Sequence, residues 1–293
     1  MTGAGTDAGL SVASLHVYPV KSLGGIAVAD GWLGPCGLQD DRRWVVTDPD
    51  GTFLTQRQIP SMALVSVAWS PRPAPDGAGG LVLSRPGHGA LAVPVPPAGA
   101  ARHPVRVWRD TVPTVDAGQA AAGWLTAVLG RPCRLAYLHD VAARPADPDH
   151  APPGSVVGFA DGFAVLVTTT ESLAALNRDL PPPVPPLPMN RFRPNIVLTG
   201  APAWAEDEWR LLAVGQARIL IVKPCSRCVM TTIDQHSADI PHPQEPLRTL
   251  ARTRRAKGGV MFGQNAVVVR PGRIAAGDPV TVLEQGPSNL LPA

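Results

Sequence analysis

Proline is the residue that most constrains how this chain can fold. The sequence contains 34 prolines among 293 residues, more than twice the usual share of about 5%. Proline lacks the backbone N–H that a helix interior needs, and in sheets it is confined to edges, first residues and bulges. We therefore predict few long helices and many short strands that are joined by turns.

Clusters of proline also divide the chain. They occur at 71–75, 94–97, 145–153 and 181–188, and each cluster predicts a loop or linker. The cluster at 145–153 is the longest polar interruption near the middle of the sequence. Because 293 residues correspond to about two common domain lengths, we predict a first domain over 10–145 and a second over 150–286.

Local patterns support a mainly β fold with a few short helices. Three helices are predicted: one capped by Asp116 that ends at Gly130, one that follows Thr168, and one from Pro246 to Gly258. Alternating or β-branched runs predict strands at 14–18, 43–47, 63–69, 104–108, 164–168, 195–199, 217–222, 229–233, 265–270 and 279–283.

Charge and hydropathy exclude several functional classes. The net charge is +3, and no dense basic run with interleaved aromatic residues occurs, so we expect no nucleic-acid partner. No cationic leader precedes an apolar stretch and no window of 18 apolar residues occurs, so we expect a cytoplasmic protein without membrane association. The four cysteines are too few for a disulfide scaffold and are expected to be thiols or ligands.

The segment from Lys223 to Asp234 is the most informative one for chemistry. Cys225 and Cys228 lie three residues apart between two apolar runs, where a turn can present both thiols. The cationic neighbours Lys223 and Arg227 favour the thiolate, which is the form that binds a metal or attacks an electrophile. A pair of inert buried thiols is the structural alternative.

Zinc and redox chemistry are two further alternatives for this segment. Cys225 and Cys228 are followed by His236 and His242, which is a Cys2His2 order. Zinc fingers of this type leave about 12 residues between the two pairs for a helix, and the gap here is shorter. A thioredoxin-like redox pair is disfavoured because no βαβ pattern surrounds the cysteines.

Six further motifs occur together with this cysteine segment, and each of them is weak when taken alone. They are Leu15-His-Val-Tyr-Pro-Val-Lys21-Ser22, Asp41-Arg42-Arg43-Trp44, Thr55-Gln-Arg57-Gln, Arg191-Phe-Arg193-Pro-Asn195, Ala205-Glu-Asp207-Glu-Trp209 and Phe262-Gly-Gln264-Asn265. In this order the set resembles the MOSC-domain family, and within it the two-domain branch of the mitochondrial amidoxime-reducing component and the bacterial reductases of N-hydroxylated bases. The resemblance covers about residues 10–285.

The resemblance implies an N-terminal MOSC-associated β domain, a C-terminal MOSC β-barrel and a bound molybdenum cofactor, Mo-molybdopterin. Cys228 matches the position that ligates molybdenum in the relatives, whereas the role of Cys225 stays open. The phosphate of the pterin needs cations and fixed donors. The positions that match the cofactor-binding residues of the relatives are Lys21, Ser22, Arg42, Arg193 and Asn195, with Thr169 and Ser226 as weaker candidates.

The resemblance also implies an activity, namely two-electron reduction of a small N-hydroxylated compound at molybdenum. A non-catalytic carrier of the cofactor or of sulfur, with Cys228 as the acceptor, is the alternative function. The sequence has neither a Gly-rich dinucleotide fingerprint after a strand nor the cysteine spacing of a [2Fe–2S] cluster. We therefore expect the electrons to come from a separate ferredoxin, flavodoxin or cytochrome-type protein.

Overall fold

A computed structural model describes residues 9–70 and 80–290 of the chain. Strands are the main regular structure of the described residues, as predicted, and the proline cluster at 71–75 lies outside them. In chain order the elements are β1 (Ser11–Val17), β2 (Ile26–Val28), β3 (Asp30–Gly34), β4 (Gly37–Leu38), β5 (Trp44–Thr47), β6 (Ser66–Ser70), β7 (Gly80–Ser84), β8 (Ala90–Val93), β9 (Val105–Val107), β10 (Asp110–Val112), β11 (Val115–Asp116), α1 (Gln119–Leu129), β12 (Arg134–Tyr137), β13 (Val165–Thr169), α2 (Thr170–Asp179), β14 (Ile196–Thr199), β15 (Trp209–Val214), β16 (Ala217–Arg227), α3 (Leu247–Thr253), β17 (Arg255–Ala256), β18 (Gly259–Arg270), β19 (Gly272–Ala275) and β20 (Val280–Gln285).

The largest sheet combines strands from both halves of the chain. Its order is β2-β1-β14-β13-β18-β16-β15-β20, and β17 pairs with β18 beside this path. In addition β3 pairs with β19. Strands β1 and β3 thus each pair with a strand from the second half of the chain, and β2 pairs with β1. The predicted domain limits, 10–145 and 150–286, therefore do not coincide with a boundary between sheets, and they stay a prediction.

The two ends of the large sheet approach each other. The backbone N–H of Val12 donates to Asp278 O at 3.0 Å, and Val280 N–H donates to Leu10 O at 2.8 Å. An isolated bridge between Ser11 and Pro279 accompanies these bonds. The sheet thus curls round a core that includes Leu15, Val167 and Leu212. Continuous strand pairing does not close it among the described residues, and the predicted barrel stays a prediction.

The N-terminal half has its own apolar core between small sheets and α1. Strands β5, β11 and β12 form one three-stranded sheet, and β6, β7 and β8 form another. The buried face of α1 presents Leu125 and Val128 to a core that also holds Val46 and Leu135. The structure thus confirms the helix that the apolar periodicity predicted. No helix of the described chain is both long and apolar enough to span a bilayer.

Three local predictions were wrong in detail. Asp116 does not cap α1: the helix begins after Gly118, and the Asp116 carboxylate accepts hydrogen bonds from Gly118 N and from Arg134 instead. The third helix is shorter than predicted, because the chain turns into β17 at Arg255. The run from Val229 is a 3-10 turn over Val229–Thr232 and not a strand.

Candidate active site

An open cavity of about 440 Å³ lies where loops from the two halves of the chain meet. Six cationic side chains and two carboxylates line it among the described residues, so the cavity carries a large excess of positive charge. Such a surface favours an anionic ligand. Seven of the predicted site residues line it, namely Lys21, Ser22, Arg42, Arg193, Asn195, Ser226 and Cys228.

The turns that carry Lys21 and Arg42 are held together by backbone hydrogen bonds. Lys21 N donates to Trp44 O at 2.9 Å, and Arg42 N donates to Tyr18 O at 2.8 Å. Ser22 and Arg42 both have positive φ, 68° and 48°, which is uncommon for residues other than glycine. Backbone strain of this kind concentrates at functional sites because the surrounding structure has to maintain it.

Gly158 permits the close approach of the next wall of the cavity. A Cβ atom at this position would lie 2.7 Å from Arg42 O, which is closer than van der Waals contact allows. Phe159 N then donates to the same carbonyl oxygen at 2.7 Å. The absence of a side chain at Gly158 therefore lets Phe159 and Asp161 reach Lys21.

Arg193 is a buried cation without a partner of opposite charge. Only 8% of the residue is exposed, and its guanidinium forms no hydrogen bond or ion pair within the described part of the chain, where the buried Nη2 is unsatisfied. It stacks on the ring of Tyr18, with Cζ 4.2 Å from the ring centroid, and Arg42 stacks on the same ring at 4.6 Å. Burial lowers the pKa of Arg193 to about 10. An anion in the cavity would offset both the desolvation cost of the Arg193 guanidinium and its repulsion from Arg42.

The backbone at Arg193 differs from the sequence-based expectation. A residue that precedes proline is normally held extended, but Arg193 has a φ of 55°. Its carbonyl oxygen accepts a hydrogen bond from Arg42 Nη2 at 3.2 Å. The unusual backbone conformation thus joins the two arginine turns.

Lys21, Asp161 and Arg57 form an ionic chain that leads to Cys228. Lys21 Nζ donates to Phe159 O at 2.7 Å and pairs with the Asp161 carboxylate. Arg57 Nη2 donates to the other carboxylate oxygen at 3.3 Å, and its Nε donates to Cys228 Sγ at 3.3 Å. Desolvation would raise the pKa of Asp161, but the Lys21 and Arg57 cations hold it well below its usual range.

The cysteine segment leaves the sheet at the cavity wall. β16 pairs with β18 through bulges near Lys223 and Ser226, and such irregularities re-aim side chains. The following 3-10 turn is fixed because Thr231 N and Oγ1 both donate to Cys228 O, at 3.0 and 2.9 Å. Cys228 therefore sits at the end of a strand, partly exposed, with its thiol next to Arg57.

Cys225 and Cys228 are free thiols that are both partly exposed and both line the cavity. This placement argues against the alternative of inert buried thiols. Arg227 Nη1 donates to Cys225 Sγ at 2.9 Å. Each cysteine of the pair thus has one guanidinium contact, and the two contacts come from different arginines.

The zinc alternative is not formed in this structure. Within residues 9–70 and 80–290, no three side chains of His, Cys, Asp or Glu come together as a metal site. His236 instead lies against Asn190, with Nε2 and Nδ2 3.4 Å apart. The predicted metal ligand Cys228 therefore stands without further protein ligands among the described residues. A metal bound to its thiol would take its other ligands from a cofactor.

Two of the predicted cofactor-binding residues have structural contacts. Asn195 makes three hydrogen bonds to its neighbours: its Oδ1 accepts from Arg42 Nη1 at 3.3 Å and Leu166 N at 3.2 Å, and its Nδ2 donates to His16 O at 3.2 Å. Thr169 does not line the cavity; it caps α2 by accepting a hydrogen bond from Ser172 N at 3.1 Å. Asn195 therefore positions Arg42, and Thr169 begins a helix.

Arg57 and Asp161 are cavity residues that the sequence prediction missed. Arg57 belongs to one of the motifs that carried the family resemblance, so the signal was present but no role was attached to it. Asp161 follows a Gly-Phe-Ala run without any local signal. Its importance depends on contacts with Lys21, 140 positions earlier in the sequence.

Comparison with known sequences gives two family matches. A profile described as the MOSC N-terminal beta barrel domain matches residues 9–132, and a profile described as the MOSC domain matches residues 154–281. Mitochondrial amidoxime-reducing component 1 of Homo sapiens is 34% identical over 293 residues, which cover 94% of this chain and 83% of that protein.

Two further relatives differ in how much of them is matched. Molybdenum cofactor sulfurase of Danio rerio is 31% identical over 270 residues, which cover 86% of this chain and 31% of that protein. The solved structure of a Bordetella bronchiseptica protein is 30% identical, covers 36% of this chain and 85% of that one, and has a TM-score of 0.29. Two successive profiles match the chain, and a 34% identical relative matches 94% of this chain and 83% of its own length, so the chain belongs to the MOSC-domain family, as a member with the MOSC N-terminal domain.

Proposed function

We propose that this protein binds the molybdenum cofactor in the cavity and reduces small N-hydroxylated compounds. The observation that carries the proposal is that one cavity is lined both by Arg193, a buried cation without a partner in the described structure, and by the partly exposed thiol of Cys228. A pterin phosphate would supply the missing anion, and molybdenum prefers soft thiolate ligands. The relatives named amidoxime-reducing component give the class of reaction.

The residues present fit such a cofactor. Lys21, Arg42 and Arg193 supply charge at one side of the cavity, and Ser22 and Ser226 supply hydroxyl groups. Only Arg193 has an entirely uncommitted guanidinium among these, so we assign it the most direct contact with the phosphate. Lys21 and Arg42 already have Asp161 and Asp41 as partners and would act mainly through their charge.

In the proposed reaction, the cofactor and the protein would have different roles. When bound through Cys228, molybdenum would supply the two-electron reduction that no side chain can carry out. The chain itself holds Cys228 at the end of β16, keeps its sulfur beside the Arg57 guanidinium, and leaves the cavity open to solvent for a small substrate. We propose that the electrons come from a separate ferredoxin, flavodoxin or cytochrome-type protein, and that the protein works in the cytoplasm.

A non-catalytic carrier of the cofactor or of sulfur is the second candidate function. It is favoured by the partial exposure of Cys228 and by the relative named molybdenum cofactor sulfurase. In this case Cys228 would be an acceptor and the protein would bind the cofactor without turning over a substrate.

The test combines composition with turnover. Purified protein should contain stoichiometric molybdenum by elemental analysis, and the released, oxidised pterin should be detected by fluorescence. Dithionite-reduced viologen should then drive reduction of benzamidoxime, whereas NADH alone should not. Cofactor without viologen-driven turnover would indicate the carrier, and robust turnover with NADH alone would refute the need for a separate donor.

A further inference from the structure

The loop from Thr55 to Gln58 is rigid for reasons that do not involve Arg57. Thr55 N and Oγ1 both donate to Gln58 Oε1, at 2.9 and 2.6 Å. Gln56 Nε2 donates to Ser22 O at 2.8 Å, and the Gln56 side chain also exchanges hydrogen bonds with Gln235. Thr55 and Gln56 are almost completely buried. Three residues of this motif thus fix the loop, and the fourth, Arg57, projects to the cavity.

The Arg57 side chain is itself fixed at three points. Its Nε donates to Cys228 Sγ at 3.3 Å, its Nη2 donates to Asp161 at 3.3 Å, and its Cζ lies 5.1 Å from the centroid of the Trp108 ring. Trp108 is in turn braced by an edge-to-face contact with Phe53 at 5.1 Å. The plane of the guanidinium is therefore set beside the sulfur that we assign to molybdenum.

One end of this guanidinium remains available. No residue in the described part of the chain accepts a hydrogen bond from Arg57 Nη1, and the Arg57 side chain is 25% exposed at the cavity wall. A fixed charged donor next to a reactive centre is suited to bind an oxygen atom of a substrate, because charge-assisted hydrogen bonds are short, strong and directional.

We infer that Arg57 is a substrate-binding residue that donates a hydrogen bond to the oxygen of the N-hydroxy group. This inference rests on the proposed function and extends it, because it states which part of the substrate the protein recognises. An amidoxime has this oxygen, and the corresponding amidine has lost it. A site that is built around a hydrogen bond to a substrate oxygen discriminates against the analogue that lacks the oxygen.

The test compares two ligands with the same carbon and nitrogen skeleton, one of which has this oxygen and is neutral, and the other of which lacks it and is cationic at neutral pH. Binding of benzamidoxime and of benzamidine to the protein as purified is measured by calorimetry without reductant, so that no turnover occurs. In Arg57→Gln, benzamidoxime should bind about tenfold more weakly or worse, the loss expected for one charge-assisted hydrogen bond. Benzamidine is a cation without the oxygen, so it should bind equally well or more tightly once the positive charge is removed.

Arg43→Gln is the matched control. Arg43 also stacks on an aromatic ring, that of Tyr137 at 5.3 Å, and donates to backbone carbonyls, but it does not line the cavity. Its replacement should leave both affinities unchanged. Arg57→Lys should retain part of the benzamidoxime affinity, because an ammonium keeps the charge but not the fixed planar donors.

The results separate this inference from the proposed function. Equal weakening of both ligands by Arg57→Gln, unchanged binding of both, or a loss of molybdenum and pterin from this variant would overturn the assignment of Arg57 to the substrate oxygen. If the wild type binds benzamidoxime in an Arg57-dependent manner but viologen does not drive its reduction, the binding role stands and the reductase proposal fails.

Discussion

Individual residues around the cavity are held in costly arrangements. Seven residues other than glycine have positive φ in the described chain, and Ser22, Arg42 and Arg193 are three of them. Each such residue costs about 1–3 kcal/mol, and an arginine that is buried without a partner adds to this cost. Because all three line one cavity, the strain is better explained by binding of a ligand than by the needs of the fold.

The two cysteines of the motif should respond differently to the same change. If Cys228 binds molybdenum as proposed, Cys228→Ser should lower viologen-driven reduction of benzamidoxime by more than about a hundredfold, because loss of a direct ligand costs more than the 10–100-fold typical of losing an outer-shell contact. Pterin content should be largely retained, since the residues that we assign to the phosphate are unchanged. Cys225→Ser, which keeps a hydrogen-bond acceptor for Arg227, should be milder. Activity and pterin fluorescence measured on both variants would show this, and equal losses from both would contradict the role of Cys228.

The sequence was a better guide to which residues line the cavity than to the contacts that each of them makes. Seven of the residues that were predicted from the motifs line the cavity. The motifs did not show that Asn195 makes three hydrogen bonds to its own neighbours, or that Arg57 contacts Cys228. Contacts of this kind join residues that are far apart in sequence, so no local pattern reports them. Thr169 caps α2, and in sequence a threonine that caps a helix resembles one that could bind a ligand, so its assignment to the cofactor stays a prediction.

At the scale of elements, local hydrogen bonding explains the strand prediction that was wrong. The run Val229–Ile233 has the composition of a strand, but Thr231 and Thr232 donate their hydroxyl groups back to Cys228 O and Val229 O. Threonine can offer the backbone this alternative to strand pairing. Most other β-branched runs could be predicted because their neighbours in the sheets are also apolar.

Two glutamates near the start of α2 have opposite pKa shifts: Glu171 lies in its first turn, and Glu206 lies in the 3-10 turn Ala205–Asp207. Glu206 is completely buried, and burial raises its pKa; Ser172 Oγ donates to its Oε2 at 2.9 Å, but Oε1 has no partner in the described structure. For Glu171, desolvation would also raise the pKa, but the backbone N–H of Gly200 and neighbouring hydroxyls lower it. The two carboxyl groups therefore favour different charge states.

This difference gives a prediction for stability against pH. The contribution of Glu206 is fully present below the ordinary glutamate pKa of 4.5 and decreases as the pH rises through the raised pKa of the folded state. Glu206→Gln resembles the protonated acid. It should match the wild type near pH 4 and become more stable than the wild type at neutral pH, by about 1–3 kcal/mol, in urea unfolding experiments.

Glu171→Gln is the control with the opposite sign. A lowered pKa contributes stability above the unfolded value, and this contribution is lost as the pH falls through the folded value. Glu171→Gln should therefore destabilise the protein at neutral pH and less so in acid. The interpretation of Glu206 would be wrong if both variants changed with pH in the same direction.

At the scale of the whole molecule, the cavity is a junction between the two halves of the chain. Arg42 reaches Arg193 and Asn195, and Arg57 reaches Cys228 and Asp161. Strands β1 and β3 also pair with β14 and β19. A ligand in the cavity therefore contacts both halves at once. Its binding free energy should add to the stability of the entire chain, because the unfolded chain has no such site.

Arg193→Met tests this coupling. In protein from cells that cannot make the cofactor, the substitution should leave the melting temperature unchanged or raise it, because a buried cation without a partner is removed. In protein from cells that make the cofactor, the rise in melting temperature on loading should be smaller than in the wild type, by the equivalent of about 1.5–3 kcal/mol for one charge-assisted contact. Scanning calorimetry of both preparations measures the two effects.

Arg191→Met provides the contrast. Arg191 is equally buried and lies two residues earlier, but it has partners: Nη1 donates to Thr232 O at 2.7 Å and Nη2 pairs with Asp234 at 2.9 Å. Its Nε alone has no partner in the described structure. Its replacement should lower the melting temperature without cofactor, because a buried hydrogen bond to Thr232 O and a partly buried ion pair are lost, at a cost of about 1–3 kcal/mol. The rise on loading should survive, since Arg191 does not line the cavity. If Arg193→Met behaved like Arg191→Met, Arg193 would be a structural residue and the anion assigned to it would have to bind elsewhere.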